Sequence, residues 1–441
     1  MSDYTSLMAM MGKGVVESTK LMVRGANNLL QSVTKNTPEH RNMKRRGITE
    51  YQPSEIGGFF PLDEIADQMV VSGGNDKIRA EAIEAYVQLA LYRQTPVIIL
   101  HNGDRILEQY MMTILGSTGL LGLVNSMNKK YEPFVGKDSR TIGQMICESA
   151  PKDLEIKANI RSYIEGMCRF LQSRKAVPTY QMLSTCPHGQ MIFKVDEAVM
   201  NGRLSQTQGQ EIKMRLIAGQ NEYYKIENYF YDLNMQIDPI LWRYNKGNKE
   251  MPVNIFSALK QKGVLMADVG SSSNQMLINL LLSELRIALQ QGHQMACVLS
   301  GIDISDNEYL QHMLEQSSGK CKMAVVSRDV YTSCNADERL FHLLLGKSMK
   351  NIIFTHSSNV SATKWAEGIG SYDKEETSYS YSQGKSRSPT QFFATTSSNQ
   401  SKSISIKREY IVKPEEILRM EEREAYIYTK VTNELAHTML V

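Results

Sequence analysis

Short apolar runs alternate with helical periods along much of this chain, and that alternation limits its fold more than any other feature. The runs are Gln68–Ser72, Val97–Leu100, Gly263–Ala267, Met295–Leu299, Met323–Val326 and Asn351–Thr355. Each is nearly continuous in apolar residues and bounded by turn formers, the pattern of a strand covered on both faces. Between the first two runs, Ile78, Ala82, Ala85, Leu89 and Leu91 mark the inner side of a helix, and Thr95-Pro96 punctuates the turn. Strand, helix and strand at this spacing form a βαβ unit and favour parallel pairing. Gln275–Gln291, Asn307–Gln316 and Glu338–Leu345 continue the alternation with further helices. The expected fold is α/β, a doubly wound, mostly parallel sheet with helices on both faces.

Residues 136–235 interrupt this pattern. Helical periods run through Ile142–Cys147, Leu154–Leu171, Gln190–Met200 and Thr207–Tyr229, and β-branched runs are nearly absent. An all-helical insertion is therefore expected there, dividing the sheet domain into residues 51–135 and 236–441. Tyr223, Tyr224, Tyr229, Phe230 and Tyr231 close the insertion and read as a packing cluster rather than a base-stacking platform. Residues 1–50 read as an amphipathic helix followed by a basic linker. Leu7, Met11, Val15, Met22, Ala26, Leu29 and Val33 form one apolar stripe, which is expected to pack on its own domain or on a partner helix. Residues 371–405 are rich in Ser, Thr, Gln and Tyr and poor in large aliphatics. They read as a mobile loop, or as an exposed hairpin with Ser378–Tyr381 and Ser401–Ile406 as strands.

Composition narrows the function classes. Among 441 residues, 50 Lys+Arg against 47 Asp+Glu leave +3, so any DNA contact is expected to be a local patch. Lys385 and Arg387 are the candidates, in a loop that could face a pore. No apolar run approaches the roughly 18–20 residues of a membrane span, and Ser2-Asp3-Tyr4 is not a basic leader. Six cysteines in a chain this long, with no Cys-x2-Cys pair, read as reduced thiols and not as a metal site. The lone Cys186-Pro-His188 has no second half. The expected location is cytoplasmic, with contact to a membrane through partners.

The glycine turn after the first strand is where a parallel sheet would seat a phosphate. A full phosphate loop reads Gly-x4-Gly-Lys-Ser/Thr. Here Gly73, Gly74 and Asn75 lead to Lys77, with Ile78 in place of the hydroxyl residue. The loop is contracted and lacks the group that would hold magnesium, so a structural turn is the favoured reading. A motor ATPase also needs acid at the end of a buried strand. The run 295–299 ends in Ser300-Gly301 instead, and Asp303 and Asp306 read as turn or cap residues. Asp268 has no neighbouring Glu.

The order of segments resembles the TraG/TraD family of conjugative type IV secretion coupling ATPases over roughly residues 55–430. His101-Asn102-Gly103-Asp104 stands where that family has an Asp-Pro-Lys-Gly-Glu-like turn. The helical insertion follows, then Val298 to Ile302 where the family has an acidic pair. Arg328 follows Val325-Val326-Ser327, at the place of a nucleotide-sensing Gln. The most specific stretch is Asn351-Ile-Ile-Phe, Ala366-Glu-Gly-Ile-Gly370, a Ser-rich loop, Arg408-Glu-Tyr-Ile-Val-Lys-Pro-Glu-Glu-Ile417 and Glu424-Ala-Tyr-Ile-Tyr428. The resemblance implies a RecA-like fold and a role in DNA transfer. The departures at residues 73–77, 300–301 and 328 imply a degenerate, non-hydrolysing paralogue, with no cofactor or with ATP held weakly and not hydrolysed. Such a subunit is expected to assemble with itself or with an active coupling ATPase, and to offer its helical domain to substrate or adaptor proteins. Two alternatives remain at this stage. One is an active motor using Lys77 with Asp104, Asp268 or Asp303. The other is a nucleotide-free adaptor.

Overall fold

The computed structural model describes residues 43–50, 68–154, 156, 158–243, 251–270, 275–305, 307–316, 320–386 and 395–439. The apolar stripe at 7–33 lies outside the described residues.

A ten-stranded sheet forms the centre. Its strands are β1 (Ile48–Glu50), β2 (Gln68–Ser72), β3 (Val97–His101), β4 (Leu121–Val124), β5 (Val264–Asp268), β6 (Met295–Ser300), β7 (Cys321–Ser327) and β8 (Lys350–Ile353), with β11 (Glu424–Thr429) and β12 (Glu434–Met439) near its end. Between β8 and β11, β9 (Ser371–Ser386) and β10 (Thr395–Tyr410) form a separate two-stranded ribbon. The order across the large sheet is β1-β12-β11-β8-β2-β7-β6-β3-β5-β4. From β8 to β4 every pairing is parallel, and β11 is antiparallel to both β8 and β12.

Alternate residues of the central strands feed two cores. Met69, Val71, Val97 and Ile99 pack with Ile78, Ile83 and Val87 of helix Asp76–Tyr92 and with Leu107 and Met111 of helix Arg105–Leu115. Val70, Ile98 and Leu100 join Leu277, Leu281 and Leu285 of helix Gln275–Gln290 and Trp365 of helix Asn359–Ile369. The sheet is thus covered on both faces, which is why its strands read as apolar runs without alternation. The fold is the RecA-like α/β arrangement expected.

Helices fill the chain between β4 and β5, from Ser139–Ser149 to Tyr224–Ile237. Their buried faces, including Ile142, Ile146, Ile164, Met167 and Leu216, belong to the same apolar cluster as the second face of the sheet. The two chain crossings into and out of this helical part meet. Tyr131 bridges both Leu241 and Val253, and Asn254 Nδ2 donates to the carbonyls of Glu132 (3.1 Å) and Val135 (3.0 Å).

The Ser-rich stretch is the hairpin of the two readings, not an unpaired loop. Its pairing runs from Ser371↔Tyr410 to Ser386↔Thr395, far longer than the strands expected at 378–381 and 401–406. Serines pair across it, as Ser380 Oγ with Ser401 Oγ at 2.6 Å, so the backbone ladder persists without large aliphatics.

Candidate functional site

Ligands of open parallel sheets sit beyond the carboxyl ends of the strands. At that edge β2 ends at Ser72, β7 at Ser327, β6 at Ser300, β3 at His101 and β5 at Asp268. β7 separates β2 from β6, so the glycine turn and the Ser300-Gly301 turn stand one strand apart.

Both glycines of the first turn have left-handed backbone, Gly73 at φ +91° and Gly74 at φ +70°. Their N–H groups are the ones that would cradle a phosphate. Instead Gly73 donates to the carbonyl of Ser327 at 3.1 Å and Gly74 to that of Thr355 at 3.0 Å. The turn is pressed so closely on the chain after β8 that a Cβ on Gly73 would lie 2.7 Å from the carbonyl oxygens of Phe354 and Thr355. Arg79 folds back over the turn from helix Asp76–Tyr92. It is buried and donates to the carbonyls of Gly73 and Gly74 while pairing with Asp76. Asn75 caps that helix, its Oδ1 accepting from Ile78 N at 2.9 Å. Asp76 then places negative charge in the first turn, where a phosphate would otherwise complement the helix dipole. Lys77 is exposed.

Burial is the main influence lowering the pKa of Arg79; Arg328 adds to it, and Asp76 and Asp104 oppose it. Arg328 itself is exposed beyond the end of β7. These four charges therefore share the mouth of the edge. At the acidic-pair position, Ser300 is buried and its carbonyl accepts from Asn102 N, while Gly301 N donates to Val326 O. The carboxylates considered as magnesium ligands are engaged in turns. Asp104 Oδ1 caps helix Arg105–Leu115 through Leu107 N, and Asp268 Oδ1 accepts from the N–H groups of Gly103 and Gly270, each at 3.0 Å. The cap of helix Glu308–Gln316 is supplied by Asn307, whose Oδ1 accepts from Leu310 N; Asp306 lies outside the described residues and Asp303 is half-buried.

Behind the glycine turn lies a buried polar network with no counterpart in the sequence reading. Ser72 Oγ is 2.9 Å from His356 Nε2, and His356 Nδ1 is 2.7 Å from the Phe354 carbonyl. Val330 N donates to Ser72 Oγ, Ser327 Oγ pairs with Ser333 Oγ at 2.6 Å, and Ser361 Oγ donates to Asp329 Oδ2. A second buried group stands beneath β3. His101 Nδ1 accepts from Asp104 N at 3.1 Å, and its Nε2 faces Glu108 Oε1 at 3.7 Å. Burial holds the His101 pKa down, against Asp268 and Glu108. His356, His101, Arg79 and Asp329 were not legible as site residues, because a buried polar side chain leaves no local pattern.

The remaining candidates lie elsewhere. Lys385 is in β9, whose pairing places it opposite Thr396, and Arg387 lies outside the described residues. Among the described residues no group of three or more His, Cys, Asp or Glu side chains could hold a metal ion. Of the closing aromatics, Tyr229 and Phe230 are buried and packed edge to face, whereas Tyr224 and Tyr231 are exposed. No described helix is long and apolar enough to cross a membrane.

The fold and this edge define a RecA-like α/β protein whose phosphate turn is filled from within. Residues 328–439 match the family model of the type IV secretion-system coupling protein DNA-binding domain, so the coupling-protein resemblance holds over those residues. Solved structures with a similar fold include the bacterial conjugative coupling protein TrwBΔN70, at 11% identity over 91% of each chain and a TM-score of 0.49. Plasmid coupling protein TrwB in complex with ADP and Mg2+ is 10% identical over 91% of this chain and 92% of that one, with a TM-score of 0.46. VirB4 of Thermoanaerobacter pseudethanolicus is 9% identical over 90% and 96%, with a TM-score of 0.42. No curated protein matches the sequence.

Proposed function

We propose that this chain is a coupling-protein-like subunit of a conjugative DNA-transfer or type IV secretion apparatus, and that it does not hydrolyse nucleotide. The match of residues 328–439 supports the apparatus. The observation that carries the loss of hydrolysis is the fate of the two glycine amides, both already donated to Ser327 and Thr355. Binding a phosphate there means breaking two buried hydrogen bonds and displacing Arg79 from the carbonyls it satisfies. With Ser300-Gly301 at the strand end and Asp104 and Asp268 committed to turns, no carboxylate among them is free to position magnesium and water. The subunit then acts by assembly and by recruiting substrate or adaptor proteins through its helical part.

The test is turnover of labelled ATP by the full chain, with and without single-stranded DNA. The expected result is no hydrolysis, with nucleotide bound weakly or not at all. Turnover of about one per second or more, abolished by Lys77→Ala, overturns the reading.

A further inference from the structure

The ribbon of β9 and β10 stands apart from the main sheet and is exposed along its described length. Sixteen residues in each strand make it roughly 50 Å long. A lone two-stranded hairpin is marginal in water, and both outer edges of this one carry unpaired backbone donors and acceptors.

Its two strands differ in charge. Asp373, Lys374, Glu375 and Glu376 make the base of β9 acidic, whereas Lys402, Lys407, Arg408 and Glu409 make β10 basic. The pairing within the hairpin uses this poorly. Lys374 is opposite Lys407, Glu375 opposite Ile406, and Lys402 opposite Tyr379. A shift of two residues keeps every side chain on its own face and changes the match throughout. It sets Lys374 against Glu409, Glu375 against Arg408, Glu376 against Lys407, Tyr379 against Ile404 and Tyr381 against Lys402. Those are three opposite-charge pairs, an aromatic–aliphatic pair and a cation over an aromatic, each of a kind that stabilises neighbouring strands. Tyr379, Tyr381, Ile404 and Ile406 are 76%, 58%, 57% and 69% exposed, and all four share one face.

We propose that the outer edge of β10 in one copy pairs antiparallel with the outer edge of β9 in a second copy of this chain, in this two-residue-shifted register. The pairing is head to tail. Every added copy presents a fresh acidic edge and a fresh basic edge, so the array propagates or closes into a ring. Tilted strands in a closed array require such a stagger between neighbours. The proposal does not depend on the nucleotide reading, since its readout is mass alone.

The experiment is sedimentation of the full chain and two charge-reversed variants. Glu375→Lys with Glu376→Lys makes both edges basic, and Lys407→Glu with Arg408→Glu makes both acidic. Each variant alone is expected to lose the assembled species and run as a monomer. An equimolar mixture restores it, which also shows that both variants are folded. In the same mixture design, copies carrying Thr377→Cys crosslink to copies carrying Ile406→Cys. A wild-type chain that stays monomeric, or an assembly indifferent to both reversals, overturns the proposal. Variants that lose single-stranded DNA binding while their mass is unchanged overturn it too, and assign the ribbon to nucleic acid.

Discussion

Ser72 Oγ and His356 Nε2 lie 2.9 Å apart, joining side chains 284 residues distant in sequence at the point where a nucleotide-binding sheet would hold a phosphate. The direction of this hydrogen bond follows from its neighbours. The Phe354 carbonyl can only accept, so His356 Nδ1 carries the proton. Nε2 then accepts from the Ser72 hydroxyl, and Ser72 Oγ accepts in turn from Val330 N. Neither side chain is solvated, so the pair ties β2 to the chain beyond β7 and β8 and has no route to an external substrate.

Ser72→Ala is therefore expected to leave two buried groups unpaired, His356 Nε2 and Val330 N–H. The cost is about 2–4 kcal/mol in unfolding free energy. Denaturant titration measures it, and nitrogen NMR of the imidazole checks the tautomer. Burial also holds the His356 pKa below its ordinary value. The neutral ring's contribution is full above about pH 6.5 and is lost as pH falls through the lower folded value. A wild-type acid limb that persists unchanged in His356→Gln would show that another group controls it.

Gly73 and Lys77 separate a structural turn from a phosphate loop. Gly73→Ala puts a methyl 2.7 Å from two carbonyl oxygens at φ +91°, so a loss of about 3 kcal/mol or more is expected. Lys77→Ala removes an exposed side chain and should change stability by less than about 0.5 kcal/mol. It should also leave the thermal midpoint in excess ATP unchanged. A midpoint rise with ATP that disappears in Lys77→Ala contradicts this account.

Much of the sheet was legible because strands buried on both faces are written as apolar runs. The strands that escaped the sequence reading are those lacking that signature. Leu121–Val124 is four residues with Gly122 inside it, and Glu434–Met439 mixes Glu, His and Thr with apolar residues at the sheet's end. The ribbon left one trace, the period-two spacing of Tyr379 with Tyr381 and Ile404 with Ile406. The contraction of the phosphate loop could be read from spacing. Its filling could not, because Arg79 reads as an ordinary helix residue and His356 reaches Ser72 through tertiary structure alone.

Glu132 should make the join between the sheet and the helical part sensitive to pH. Its Oε1 accepts from Phe134 N at 3.1 Å and Tyr180 N at 2.9 Å, and burial pushes its pKa up to about 7. A carboxyl whose folded pKa is raised holds its proton more tightly in the fold. Its contribution is full below about pH 4.5 and is lost as pH rises through about 7. Glu132→Gln keeps the acceptor and removes the charge, so it should stabilise by roughly 1–2 kcal/mol at pH 8 and little at pH 5. Thermal midpoints of the two proteins across that range test the sign. Equal curves at both ends would show that Glu132 is not the group being titrated.

Lys137 and Glu284 form the most deeply buried ion pair among those described, and they hold the same join from the other side. Lys137 Nζ is 2.9 Å from Glu284 Oε1, and the two side chains are 2% and 0% exposed. The carboxylate also accepts from Ile255 N at 3.0 Å and from the Tyr131 hydroxyl at 3.4 Å, while the ammonium lies 4.9 Å from the Phe256 ring centroid. Removing one partner strands the other charge out of water. Lys137→Met is therefore expected to cost about 3–5 kcal/mol. Glu284→Gln keeps an acceptor for Ile255 N, but it leaves the ammonium buried beside a neutral amide and should cost a similar amount. The double variant carries no stranded charge. It should recover at least about 1–2 kcal/mol relative to the sum of the single losses, the non-additivity expected of directly coupled groups. Unfolding titrations of all four proteins close the cycle, and losses that simply add would mean that the two charges do not depend on each other.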